Sequence, residues 1–218
     1  MHNKQYTNMF RNPEWVSNHI FQNLHFYYPR CINQRMGGYY HCFLDDGTIC
    51  NYQTQHLVGT SRFIYVFSIG ATLSGAPWCV HAAEQGLAKL QNDYLDREKG
   101  GYFWKLKDNE VSVKKKYAYG HAFVLLGASK AYQAGIQWAI DLIDNTYNIL
   151  EQHFWEEDHG LYVDEISSDW SAVSPYRGQN ANMHICEAMI AAYEATYNLK
   201  YLEKAYTVAY AVTVKLAS

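Results

Sequence analysis

The strongest constraint in this chain is a turn that recurs. Glycine followed by aromatic, strand-like residues appears in GGYYHCFLDDG (37–47), DREKGGYFW (96–104) and EDHGLYVD (157–164), so Gly38, Gly101 and Gly160 fall at intervals of about 60 residues. A period of that length marks one supersecondary unit that cannot bury its apolar face alone and must stack on its neighbours. Apolar residues at helical spacing fill the intervals. Asn12-Pro13-Glu14 has the form of an N-cap, a first-turn proline and an early acid, followed by Trp15, Ile20, Leu24 and Tyr27, which predicts a helix over about 13–29. Further helical patterns run over about 54–73, 77–95, 117–132, 136–154, 180–197 and 201–216. Asp46-Gly47 after an aromatic run predicts a short β-hairpin within 37–48.

Helix pairs joined alternately by short breaks and by longer hairpin-bearing loops predict an all-α chain, an α/α toroid with inner and outer rings. The helices starting near 54, 117 and 180 are the expected inner ones. They carry Arg62, then Tyr119 and His121, then Asn180 and His184, read as equivalent positions of the repeat. In RGQNANMHICEAMIAAYEAT (177–196), Asn180 is the expected N-cap, and Asn180, His184 and Glu187 share one helix face. Met183, Ile185, Ile190 and Ala191 point several ways, which predicts a helix buried on most sides. Arg62, the lone charge of an apolar helix, is expected to need a partner, either a bound ligand or an inner-ring carboxylate such as Glu187. Glu187 in turn has His184, Arg62 and Arg177 within reach of one expectation or another. Six pairs of about 60 residues would need on the order of 360. The chain, which ends inside an apolar helical pattern, is therefore expected to be the N-terminal part of a single toroid over 1–218, with no second domain.

Composition narrows the partners. The formal charge is −3, and the one basic run, Lys114 to Lys116, reads as a solvated turn, so nucleic acid is not an expected partner. The 20 Tyr and 6 Trp suit the walls of a pocket for a polar, carbohydrate-like ligand. Five cysteines, odd in number and without paired spacing, argue against a disulfide framework and for a reducing compartment. MHNKQYTNMFRNPEW lacks an apolar core, and no stretch reaches membrane-spanning length, so the expectation is a cytoplasmic protein with no membrane partner. His41, Cys42, Cys50 and His56 match no usual zinc spacing, and neither G-x-G-x-x-G nor a P-loop is present, so neither a metal nor a nucleotide cofactor is expected.

GGYYHCFLDDG (37–47), HLVGTSRFIYVFS (56–68), YAYGHAFVLLGAS (117–129), DHGLYVDE (158–165) and above all RGQNANMHICEAMIAAYEAT (177–196) resemble the N-acylglucosamine 2-epimerase superfamily, and within it the mannose and sulfoquinovose isomerases. The resemblance implies an (α/α)6 barrel that interconverts aldose and ketose monosaccharides without metal or organic cofactor, by ring opening and a proton moved between C2 and C1. It implies that Arg62 contacts sugar oxygens and stabilises the enediolate, where negative charge develops. His184 would lie beside the ring or anomeric oxygen, Asn180 would bind hydroxyls, and Tyr119, His121 and Glu187 would line the same cleft. The histidines that carry the proton in that family lie in the second half of the barrel, outside this chain. Val58 departs from the tryptophan those isomerases commonly place four residues before the arginine.

Alternatives stay open at this point. One is an N-acylglucosamine or cellobiose 2-epimerase. Another is an (α/α)6 glycoside hydrolase using Asp45, Asp46 or Glu187 as acid and base. A third is a non-catalytic fragment, whose bare half-barrel surface would drive a homodimer.

Overall fold

The computed structural model describes residues 10–216, with seven α-helices and nine short β-strands among them. The helices are α1 Pro13–Tyr27, α2 Leu57–Ser74, α3 Pro77–Lys89, α4 Ala118–Gln133, α5 Ala139–Ile149, α6 Gln179–Thr196 and α7 Leu199–Tyr210. α3, α5 and α7 each run on into one π-helical turn, Leu90–Tyr94, Leu150–Phe154 and Ala211–Lys215.

α2, α4 and α6 pack side by side with α4 in the middle, and α3, α5 and α7 each pack on the inner helix before them. The expected inner and outer layers are thus present. Hydrophobic patterning dictates the order: every residue of α4 from Gly120 to Ser129 is buried, as a helix apolar all round must be. Outer α5 buries only Ala139, Leu142, Ile143, Thr146 and Ile149, one stripe. A Cβ on Gly127 would lie 2.9 Å from the Ser61 carbonyl oxygen, so that glycine lets α4 approach α2. Buried hydroxyls turn back on their own helix, Ser61 to the Leu57 carbonyl at 3.0 Å and Ser129 to that of Leu125 at 2.7 Å.

The strands lie in the loops that lead from outer to inner helices. β1 (Cys42–Phe43) pairs with β2 (Ile49–Asn51), and β3 (Thr54–His56), β4 (Lys105–Lys107) and β5 (Glu110–Val113) form one antiparallel sheet. β6 (Lys116–Tyr117) pairs with β9 (Glu165–Ile166), and β7 (Trp155–Glu156) with β8 (Leu161–Tyr162).

The recurring turn is built the same way three times. Gly38, Gly101 and Gly160 have φ of +66°, +77° and +66°, a region open to glycine at little cost. The tyrosine that follows is driven inward: Tyr39, Tyr102 and Tyr162 are all fully buried or within 1% of it. Tyr162 stands two residues after its glycine, with Leu161 between them. Each hydroxyl is satisfied, by the Ala82 carbonyl at 2.5 Å, by Thr146 Oγ1 at 3.2 Å and by Glu151 Oε1 at 2.5 Å. Each turn's backbone is held by a polar side chain in the strand just before the next inner helix, as for Gln55, or in that helix's first turn, as for His121 and Asn182. Gln55 Nε2 donates to the Gly37 and Tyr39 carbonyls at 2.9 and 3.0 Å. His121 Nε2 accepts from the Tyr102 amide at 3.0 Å. Asn182 Oδ1 accepts from the Tyr162 amide at 2.8 Å while its Nδ2 donates to the Tyr162 and Gly178 carbonyls at 3.0 Å each.

Several expectations are corrected. α6 begins at Gln179 with extended Gly178 as its N-cap, and Asn180 is exposed rather than capping; α2 begins at Leu57, Thr54–His56 being strand. Met183 and Ile190 of α6 are exposed, because α4 and α7 cover only part of its circumference. Lys116 is buried, not solvated, its Nζ 2.9 Å from Asp96 Oδ2 and also donating to the Gly100 carbonyl. Cys42 and Cys50 form a disulfide because the hairpin brings their Cα atoms to 5.4 Å, so the cysteine pattern no longer argues for a reducing compartment. α2 is by length and composition long and apolar enough to cross a membrane, contrary to expectation, though here it packs against α1, α3 and α4. By contrast, Asn12 caps α1 as predicted, its Oδ1 accepting from the Glu14 and Trp15 amides at 2.9 and 3.3 Å.

The shared buried hydrogen bonds set an expectation for stability. Asn182→Ala, which strands the Tyr162 amide and two carbonyls, should cost on the order of 3 kcal/mol in urea unfolding. Asn180→Ala should stay within about 0.5 kcal/mol of the parent. Equal effects from the two would contradict this assignment.

Candidate active site

The inner helices start at residues 57, 118 and 179, each 61 after the one before, so they can be compared position by position. The sixth residue of each is Arg62, Phe123 and His184, and the ninth is Tyr65, Leu126 and Glu187. These six, with Val66, line one cavity of about 280 Å3. Residues three apart on a helix lie on one face, so equivalent positions on three parallel helices converge on a single wall.

Arg62 is exposed toward this cavity. Its Nη2 donates to the Tyr119 hydroxyl at 3.2 Å, and its guanidinium lies 4.6 Å from the centroid of the Phe123 ring. Among the described residues no carboxylate lies within ion-pair distance of it. Of the two expected partners, the pairing with Glu187 is therefore not formed: exposure at the cavity, not an internal partner, is what makes the charge tolerable. The His184 ring packs 4.8 Å from that of Phe123 and meets Tyr119 edge-on at 5.3 Å. Its Nδ1 lies 2.8 Å from Glu187 Oε2. Arg177, another reading for Glu187, pairs instead with both carboxylate oxygens of Glu156 and holds that carboxyl below the usual range.

Arg62, Tyr119, His184 and Glu187 are thus brought together. Asn180 sits one turn before His184, exposed, on the same helix face. His121 is not with them. It is fully buried, and its two nitrogens are committed, Nε2 accepting from the Tyr102 amide and Nδ1 donating to the Tyr117 carbonyl at 2.7 Å. A backbone amide only donates and a carbonyl only accepts, so the ring is fixed in its neutral Nδ1–H form. Burial pushes its pKa down to about 4. His121 is the fourth residue of α4 and corresponds to Asn182, not to Arg62 and His184, so the expected repeat equivalence is corrected to the sixth position. Phe123, Tyr65 and Leu126 were not singled out in the sequence, and aligning the helix starts would have found them.

A larger hollow of about 590 Å3, lined by Asn92, Arg97, Glu98, Lys99 and Lys114 among others, lies in the outer loops. Its charges are mixed and it contains none of the clustered groups, so chemistry favours the smaller cavity. Asp45 and Asp46, the alternative acid and base, sit in the β1–β2 turn, where Asp46 Oδ1 accepts from the Thr48 amide at 2.8 Å.

Three stacked helix pairs with a polar, aromatic-walled cavity on their inner layer define the chain as an α/α-toroid protein. Residues 38–218 match the N-acylglucosamine 2-epimerase (GlcNAc 2-epimerase) family, and the chain belongs to it. It is 43% identical over 209 residues to the D-mannose isomerase of Marinomonas mediterranea, covering 96% of this chain and 52% of that one. The cellobiose 2-epimerase of Dictyoglomus turgidum is 31% identical over 67% of this chain and 40% of its own. A crystal structure of D-mannose isomerase superposes with a TM-score of 0.91 at 43% identity, covering 95% of this chain and 53% of the other. Family 76 glycoside hydrolases share the fold alone, one at a TM-score of 0.65 and 18% identity. The chain spans about half the length of the relatives it matches.

Burial of neutral histidines makes stability pH-dependent with a definite sign. His121 is held near 4 and His41, whose Nδ1 accepts from the His56 amide at 2.9 Å, near 3, both mainly by burial and both from an ordinary 6.5. The unfolded chain then binds more protons than the folded one below 6.5. Stability should be complete above that pH and fall on acidification toward 4, by on the order of 1 kcal/mol per pH unit for each histidine. Urea unfolding should show this slope reduced in His121→Asn; an unchanged slope would contradict the assignment.

Proposed function

We propose that the chain supplies the sugar-binding wall of an aldose–ketose isomerase of the D-mannose to D-fructose type. What supports this most is the pairing, in one cavity, of an unpaired arginine with a carboxylate-bound histidine, at helix positions shared by successive repeats. The similarity to D-mannose isomerase over 96% of the chain favours the same reaction class over 2-epimerisation.

The chemistry follows from the groups. In ring opening the anomeric hydroxyl loses its proton, C1 becomes a carbonyl, the C1–O5 bond breaks and O5 is protonated. His184, able to accept and return a proton through Nε2, suits that exchange. Removal of the C2 proton then gives a cis-enediolate, whose charge Arg62 would stabilise. Transfer of the O2–H proton to O1, as C2=O2 forms, and return of a proton to C1 give the ketose. Asn180 and Tyr119 would hold hydroxyls at the cavity mouth. The base for the C2 to C1 transfer is assigned, by family resemblance, to histidines outside these residues. Proton transfer next to a carbonyl needs a base and an electrophile, so the scheme calls for no cofactor.

A second copy of the chain is the partner this reading favours. Met183 and Ile190 on α6 and Leu202, Tyr206 and Tyr210 on α7 are exposed apolar residues on adjacent helices, a face suited to association. Sedimentation should give a dimer; a monomer at all concentrations would remove this part.

Isomerisation of D-mannose in deuterated water tests the reaction, run on this chain and on one extended to the length of its relatives. The ketose should carry deuterium at C1, and Arg62→Ala should lower kcat/KM about 100-fold. Unexchanged hydrogen at C1, or normal turnover without Arg62, would contradict the proposal.

A further inference from the structure

The contact between His184 and Glu187 has a chemical consequence beyond lining the cavity. A carboxylate only accepts hydrogen bonds, so the 2.8 Å contact of Glu187 Oε2 with His184 Nδ1 requires that Nδ1 carry the proton. When the ring is neutral, Nε2 is then the bare, basic nitrogen. Free imidazole offers no such guarantee, since either nitrogen can hold the proton. The ring is fixed on its other sides by Phe123 and by Tyr119, so the carboxylate determines the tautomer while the aromatic rings determine the plane. The i, i+3 spacing on α6 brings the two side chains together within one helix.

From these contacts we infer that Glu187 is a positioning residue, which fixes His184 as the Nδ1–H tautomer and leaves Nε2 to exchange a proton with a hydroxyl or ring oxygen of the sugar. The inference rests on the isomerase reading for the identity of the sugar, but not for the tautomer. Glu187 itself transfers no proton. In the opening step the anomeric O–H proton passes to Nε2, C1=O1 forms, C1–O5 breaks with its electron pair going to O5, and Nε2 returns the proton to O5. The ring ends as it began. Were Nε2 the protonated nitrogen of the neutral ring, it could not accept that proton.

Long-range proton–nitrogen spectra of the labelled chain read the tautomer directly. The chain has 10 histidines, and the His184 signals are identified by their loss in His184→Asn. In the neutral ring the parent should show a protonated Nδ1 and a bare Nε2. Glu187→Gln, whose amide can donate as well as accept, should shift the pattern toward Nε2–H. Glu187→Asp, which keeps the carboxylate, should restore it at least in part. Mutarotation of D-mannose should slow about tenfold in the Gln variant with little change in KM. An unchanged tautomer in a folded Glu187→Gln chain would overturn the inference. A tautomer shift with D-mannose left untouched would instead sustain the positioning role and remove the sugar assignment.

Discussion

The hydrogen bond between a buried side chain and the glycine–aromatic turn is the interaction on which the rest of the structure depends. Each turn carries backbone amides and carbonyls into the junction between an outer helix and the next inner one, where water cannot reach them. Gln55, His121 and Asn182 meet that demand with three different chemistries, an amide donor, a fixed imidazole tautomer and an amide that both donates and accepts. Because the satisfying residue comes from the strand or first turn that opens the following inner helix, the bond fixes the register of one repeat against the next. The tyrosine one or two residues after each glycine is buried and its hydroxyl ends on a polar partner. Repeating this unit stacks the helices in one rotation sense and aligns equivalent positions of successive inner helices.

That alignment separates the two uses of polar residues. The fourth position faces the turns, and its His121 and Asn182 are fully buried with each ring nitrogen and amide group already bonded to backbone. The sixth and ninth positions face the cavity, where Arg62, His184 and Glu187 keep capacity to spare. Phe123 between them is more than filler: the guanidinium lies 4.6 Å and the imidazole 4.8 Å from its ring centroid. An aromatic platform of this kind holds two polar groups apart without consuming their hydrogen bonds. Such a wall suits a substrate with many hydroxyls and a carbonyl that develops charge.

Much of this was legible in the sequence. The glycine–aromatic period gave the repeat, and apolar spacing gave all seven helices and their layers to within a few residues. Arg62, Tyr119, His184 and Glu187 were legible because polar residues in otherwise apolar helices are costly. His121 misled for the same reason: a buried histidine satisfied by backbone looks, in one dimension, like a site residue. The distinction lies in where the turn's amides fall, which only the folded register shows. Lys116 and the Cys42–Cys50 pair also escaped, since a buried ion pair and a hairpin's Cα spacing depend on contacts across the chain. Asn180 failed as a cap because Gly178 already supplies the extended residue, and Asn182 is spent on the turn.

On this reading, ligand contact falls to the sixth and ninth positions of the inner helices, with Tyr119 and Asn180 at the second, and structural duty to the fourth. Titrating D-mannose into the nitrogen-labelled chain while following its amide and side-chain signals tests this most directly. Perturbations should gather at Arg62, Phe123, His184 and Glu187, and at Tyr119 and Asn180 at the cavity mouth, with the ring signals of His121 and the side-chain amide of Asn182 unmoved. Perturbations centred on the outer hollow around Asn92, Arg97 and Lys114, or on His121, would contradict it.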